Sequence, residues 1–190
     1  MADGELVLRT LHDAGLAVWF GGSLAGAVGF NGGANDVKDP TDRFKVATAA
    51  WARWTPVAAA AIGVHLIGAA GLTITNADRI RTQEGVAAAS IGKAAVTVLA
   101  LGATAVSGWL GQKDTAAVKS PEHAGGIPAE GGVKPSADTP PDVASRQQRL
   151  RVLQWVIPSL TGVLVALTAQ QGELQRPAQV TTGRIKKSLR

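Results

Sequence analysis

"GLAVWFGGSLAGAVGFNGGAND", residues 15–36, admits two readings, and the choice between them decides the fold. Its glycines could form a loop that cradles a phosphate, or they could smooth one face of a helix that crosses a membrane. A phosphate loop of the form GxxxxGK[ST] needs a lysine, and a dinucleotide turn needs a strand before it and a helix after it. Here Gly21, Gly22, Gly26 and Gly29 lie inside an apolar run, and no lysine follows until Lys38. The stretch reads as a membrane helix. Gly22, Gly26, Gly29 and Gly33 then recur at spacings of four, three and four, with Gly15 seven residues before Gly22, all on one face. Gly22 and Gly26 form a GxxxG pair, which lets a second backbone approach closely. The partner is another helix of the same chain or the same helix of a second copy.

Composition agrees. Of 190 residues 46% are apolar and 17% charged, Tyr and Cys are absent, and only three Phe accompany five Trp. Soluble cores are filled to high density with large side chains, whereas small residues dominate where helices pack in lipid. Four runs are nearly free of charge. They cover 22 residues between Asp13 and Asp36, 24 between Arg53 and Asp78, 28 from Gly85 to Gln112 with Lys93 alone charged, and 21 from Val152 to Gly172. Roughly 20 apolar residues cross a bilayer core. The expected fold is therefore all-α, an integral membrane four-helix bundle with a short N-terminal extension and one long flexible loop. Its spans are expected at 14–35, 54–77, 86–112 and 152–172. The acidic start, with Asp3, Glu5 and Asp13 against Arg9, does not suit a secretory signal.

If the chain alternates sides, Trp51, Trp54, Trp109 and Trp155 fall at one membrane boundary, where tryptophan is favoured; Trp19 is the exception. That same side carries residues 113–140, rich in Pro, Gly, Ala and Ser, expected to be a flexible extramembrane loop. A juxtamembrane helix is expected to restart near Pro141 with Thr139 as its cap, placing Arg146, Arg149 and Arg151 as a collar for lipid phosphates. Asp39, Pro40 and Thr41 read as another helix start. The other side holds both termini, the tight "NADRIRTQEG" loop and a basic tail at 176–190. Basic residues number eight on the terminal side and ten on the loop side. Charges far out in a long loop count for little, so both termini are expected in the cytoplasm.

Ionisable groups inside the bilayer are the candidate chemistry. His65 sits near the middle of the second span, and Lys93 about two turns into the third. Thr97, Ala100, Thr104, Ser107 or Gly108, and Gly111 follow Lys93 on a narrow stripe of polar and small residues. His65 is either a satisfied structural histidine or, with Lys93, Thr97 and Thr104, part of a site for a small anionic or quinone-like ligand. Lys93 can equally snorkel to the boundary. Pro158 is expected to kink the fourth span, with Gln154, Ser159, Thr161 and Thr168 available for hydrogen bonds between helices. Reading His12 at the boundary and His65 at mid-membrane separates them too far to share a haem. There is no HExxH, no GxSxG and no cluster of metal ligands. No catalytic residues, metal or cofactor are expected. The basic residues are spread among loops rather than striped along one element, so no nucleic-acid partner is expected.

The stretches "AVWFGGSLAGAVGFN", "WARWTPV", "HLIGAAGL", "LRVLQWVIPSLTG" and "GELQRP" resemble a group of uncharacterised small Ala/Gly-rich membrane proteins from high-GC actinobacteria. The resemblance spans most of the chain outside about 113–140. It implies a bacterial plasma membrane and no particular activity. The functional expectation is a non-enzymatic accessory or assembly subunit of a larger membrane complex, in contact with lipids and with other subunits or a second copy. The alternative is a binder or carrier of a small molecule, lipid or quinone.

Overall fold

The computed structural model describes residues 2–83 and 85–173; the basic tail expected at 176–190 lies outside them. The chain is an all-α four-helix bundle. Helix α1 (Ala2–Ala25) passes through a π-helical turn, Gly26–Phe30, into α2 (Asn31–Asn35). Helix α3 (Pro40–Thr75) is followed by the short α4 (Ala77–Thr82), and then by α5 (Val86–Lys119). A 3-10 turn, Pro121–His123, leads to a two-stranded antiparallel hairpin, β1 (Ala129–Gly131) and β2 (Lys134–Pro135). Helix α6 (Pro141–Glu173) ends the described chain. Four of these rods, Asp3–Asn35, Pro40–Thr75, Val86–Lys119 and Pro141–Glu173, are long and apolar enough to cross a membrane. This is a multi-pass membrane protein by length and composition. Its outward surface fits that solvent: Ile67, Ile74, Ile91, Val98 and Leu99 are all strongly exposed.

The helices are longer than the uncharged runs. α1 begins at Ala2, so residues 2–13, expected as a short extension, are helical and continuous with the first rod. Arg9 donates to Glu5 one turn earlier at 3.3 Å, an i,i+4 pair that keeps a charged segment helical. The start of α3 is as expected: the Asp39 carboxylate accepts from the Thr41 amide at 2.9 Å and from its hydroxyl at 2.7 Å. These bonds hold the Asp39 carboxyl below the usual aspartate range.

The helices are shared between two compact units. Among the described residues, one comprises 2–19, 60–83, 85–100 and 160–173. Its buried residues include Leu16, Trp19, Ala100, Thr161 and Leu164, together with His12 and His65. The other comprises Phe20–Ala59 and Leu101–Ser159. Here the segment expected to be a flexible loop folds back on the helices. Ile127 and Ala129 are buried in one cluster with Phe44 and Val143, and Ala117 and Val118 of α5 pack against it. Gly126, at φ 91°, supplies the left-handed residue that turns the chain in. A few apolar anchors thus overrule a composition dominated by Pro and Gly. Thr139 does not cap α6; its hydroxyl donates to the Pro128 carbonyl and accepts from the Ser136 amide, tying the segment to itself.

Candidate functional site

Two glycines and two histidines build the seam between α1 and α3 in the first unit. His12-Asp13-Ala14-Gly15 on α1 and His65-Leu66-Ile67-Gly68 on α3 share the pattern H-x-x-G. A Cβ on Gly15 would lie 2.5 Å from the Ala61 carbonyl oxygen and 2.6 Å from the His65 amide nitrogen. A Cβ on Gly68 would fall against the His12 amide and 2.6 Å from the Leu8 carbonyl oxygen. Leu8 precedes His12 by four residues, as Ala61 precedes His65. The contact is therefore reciprocal, with a local two-fold relation between antiparallel helices. Only glycine lets both backbones come this close.

The imidazoles meet inside that seam. Their centroids are 4.4 Å apart with planes tilted by 44°, and each residue is 1% exposed. Trp19 closes over His65, edge-on at 6.0 Å. His12 Nδ1 is 2.6 Å from the Asp13 carboxylate, and His65 Nδ1 is 3.0 Å from the His12 carbonyl oxygen. With a carboxylate and a carbonyl oxygen as the facing atoms, Nδ1 is assigned the hydrogen in each ring and donates it. Both Nε2 atoms are then lone-pair acceptors, and both are buried without a hydrogen-bond partner among the described residues. Anchoring one ring nitrogen on a carboxylate or carbonyl fixes the ring and the tautomer.

His12 was expected at the membrane boundary, far from His65. The depth argument fails because α1 begins at Ala2 and carries His12 more than two turns into the helix. The rings nonetheless do not bracket a haem. Metal–nitrogen bonds of about 2 Å would put two axial imidazole centroids roughly 6 Å apart. Among the described residues no three His, Asp or Glu side chains converge as metal ligands.

Lys93 joins this unit from α5. Its ammonium donates to Gln171 Oε1 of α6 at 3.4 Å, so it is held by a neighbouring helix. The Thr97 hydroxyl donates back to the Lys93 carbonyl at 2.9 Å. Lys93 and Thr97 are both half-buried on the inner face of α5. Thr104, half-buried too, belongs to the second unit. No family model, curated protein or solved structure matches this chain. The arrangement of its own residues is therefore what its function must be read from.

The glycine face divides in the second unit. A Cβ on Gly22 would strike the Trp54 ring, and one on Gly26 the Trp51 ring. These tryptophans fill glycine sockets within the chain, which sequence reasoning placed at the membrane boundary. Trp109 and Trp155 are about half exposed, and Lys113 Nζ sits 4.2 Å over the Trp109 ring. Gly29 and Gly33 leave the common face and meet nothing within 4 Å. The π turn is the cause: its wider winding brings Asn31 and Ala34 inward in their place, both buried. Asn31 donates to Gln154 of α6 at 2.8 Å and accepts from Trp51 Nε1 at 2.9 Å. Gln154 thus makes the interhelical bond expected of it, whereas Thr168 donates to Leu164 of its own helix, Thr161 is fully buried and Ser159 is exposed.

Arg146 leaves the expected lipid collar. Its side chain is 14% exposed, donating to Asp114 at 2.5 Å and to Asp142 at 2.8 Å. Asp114 was not singled out in the sequence because α5 was expected to end before it. Arg149 and Arg151 remain exposed. Next to Arg146, buried Gln147 donates to the carbonyls of Gly131 and Gly132, 3.3 Å each, clasping the hairpin.

Proposed function

We propose that this chain is a non-enzymatic accessory or assembly subunit of a larger complex in a bacterial plasma membrane, with both termini in the cytoplasm. One observation carries the reading. Gly21, Ala25, Gly29 and Gly33 recur every four residues along the first rod and are all exposed, with open space beside each of the three glycines. Glycine weakens a helix by about 1 kcal/mol relative to alanine, and apolar side chains gain little by leaving lipid for each other. A row of small residues facing lipid gives nothing to the isolated protomer; it gives a partner helix close approach to the backbone. The tight Arg79 and Arg81 loop supports the orientation, and the actinobacterial resemblance supports the compartment.

Gentle detergent extraction of the tagged protein, size-exclusion chromatography and mass spectrometry test it. A stoichiometric partner is expected, lost in Gly29→Leu while the protomer stays folded. A lone protomer, a homo-oligomer, or a complex indifferent to Gly29→Leu overturns it.

A second reading, a binder or carrier of a small molecule, lipid or quinone at His65 and Lys93, draws on the convergence of those residues with His12. The closed seam weighs against it, because both Nε2 atoms lie out of solvent and an organic ligand would have to part α1 from α3. Co-purification of a lipid or quinone in a stoichiometry abolished by His65→Asn would favour it.

A further inference from the structure

The buried histidine pair has a chemistry the subunit reading leaves unused. We propose that His12 and His65 form a single-proton site in the α1–α3 seam, and that uptake of the proton parts the two helices there. The argument begins with the anchored Nδ1–H groups, which leave Nε2 as the position where each ring takes up a proton. In the closed seam neither Nε2 has a hydrogen-bond partner among the described residues, and both are buried. A proton arriving there makes an imidazolium N–H with nothing to accept it, and burying such a charge unpaired is costly.

The surroundings allow one charge and not two. On α1, Asp13 carries the compensating negative charge, already bonded to His12, and Arg9 is paired with Glu5. On α3, residues 60–75 contain no charged side chain beyond His65 itself. On α5, Lys93 is the charged residue within 86–100 and adds a positive, not a negative, group to this unit. On α6, Gln171 is neutral and engaged with Lys93. Asp13 is the one carboxylate bonded to either ring among the described residues, so a first imidazolium has a counter-charge and a second has none, whether the seam is closed or parted.

The seam is also built to respond. Its close approach rests on Gly15 and Gly68 lying against opposing backbone, with the two rings wedged between them. The rings cannot swing to water without the helices moving, so an imidazolium is solvated only in the open form. By linkage, a proton bound only by the open form shifts the seam toward it as pH falls.

Two measurements on the full chain in lipid nanodiscs test this between pH 8 and pH 4. Imidazole 15N shifts report uptake at His12 and His65. Spin labels on Cys introduced at exposed Val7 and Ile67 report the α1–α3 distance; the chain has no cysteine of its own. The expected result is uptake summing to one proton over the pair, and a longer label distance with the same midpoint. The double variant His12→Asn/His65→Asn keeps a donor at each Nδ1 position and has no imidazole to titrate. Its distance should not change with pH. If that variant does not fold, coincidence of the two midpoints in the parent chain decides. The proposal is overturned if the pair takes up no proton, takes up two, titrates at constant distance, or opens equally in the Asn variant.

Discussion

The α1–α3 contact is made in both units, with glycine in opposite roles. In the first unit Gly15 and Gly68 bring backbone against backbone, and the residues they face are amide and carbonyl atoms that cannot turn aside. In the second, Gly22 and Gly26 are sockets for the rings of Trp54 and Trp51, which can rotate or shift. Both follow from the missing Cβ, yet one contact is unyielding and the other adjustable. A GxxxG match in a membrane helix thus says that something large or close is accommodated, and its tolerance depends on whether backbone or side chain fills the space.

The largest expected effect tests the unyielding half. Gly15→Ala or Gly68→Ala should cost about 3 kcal/mol or more, the upper range for overpacking, seen as a lower unfolding midpoint in mixed detergent titrations. A loss under about 1 kcal/mol would show that the seam relaxes like a side-chain contact, and the contrast would collapse.

Gly22→Ala should cost less, about 1–2 kcal/mol, with a shift in tryptophan emission as Trp54 moves. Trp54→Ala opens the socket, so Gly22→Leu combined with Trp54→Ala should lose less than the two single changes added together. Additive losses would mean the two residues do not share that space.

Asn31 tests how the second half is locked. Asn31→Leu removes its bonds to Trp51 and Gln154 and leaves both partners short of one, at a cost of about 1–2 kcal/mol. Gln154→Leu in the same background should then add little. A full further loss would place Gln154 in a different network.

The smallest effect lies outside the spans. The bonds from Thr41 lower the Asp39 carboxyl from its ordinary value, so the stability it gives the start of α3 is present above the ordinary aspartate range. It is lost as pH falls through the lowered value. Asp39→Asn should flatten that part of the pH–stability curve while leaving the seam's behaviour unchanged. An unaltered curve would remove Asp39 from the account.

The four rods were legible because lipid imposes a coarse rule: a run of about 20 residues without charge is hard to hide. Their ends were not, since charged residues such as Arg9 and Glu5 support each other on a helix surface and prolong it. That one misjudged end separated His12 from His65. Asp39–Pro40–Thr41 was readable because capping is local chemistry. The hairpin was not, because Ile127 and Ala129 are too few to outweigh their Pro- and Gly-rich neighbours until Phe44 and Val143 are seen beside them. Lys93 could be assigned to a polar stripe by spacing alone, but its bond to Gln171 depends on how α5 and α6 meet.

The π turn at Gly26–Phe30 acts as a one-residue phase shift written into the first rod. An α-helix advances about 100° per residue, so deleting Val28 and restoring plain α-helical winding should bring the following residues back onto the upstream face. Asn31 would keep its inward place, and Gly22 and Gly26 their tryptophans. Keeping the π turn and inserting an alanine after Asn35 would leave all of these alone. The first rod is therefore editable like a ratchet, in steps of one residue, with the tooth at residue 28.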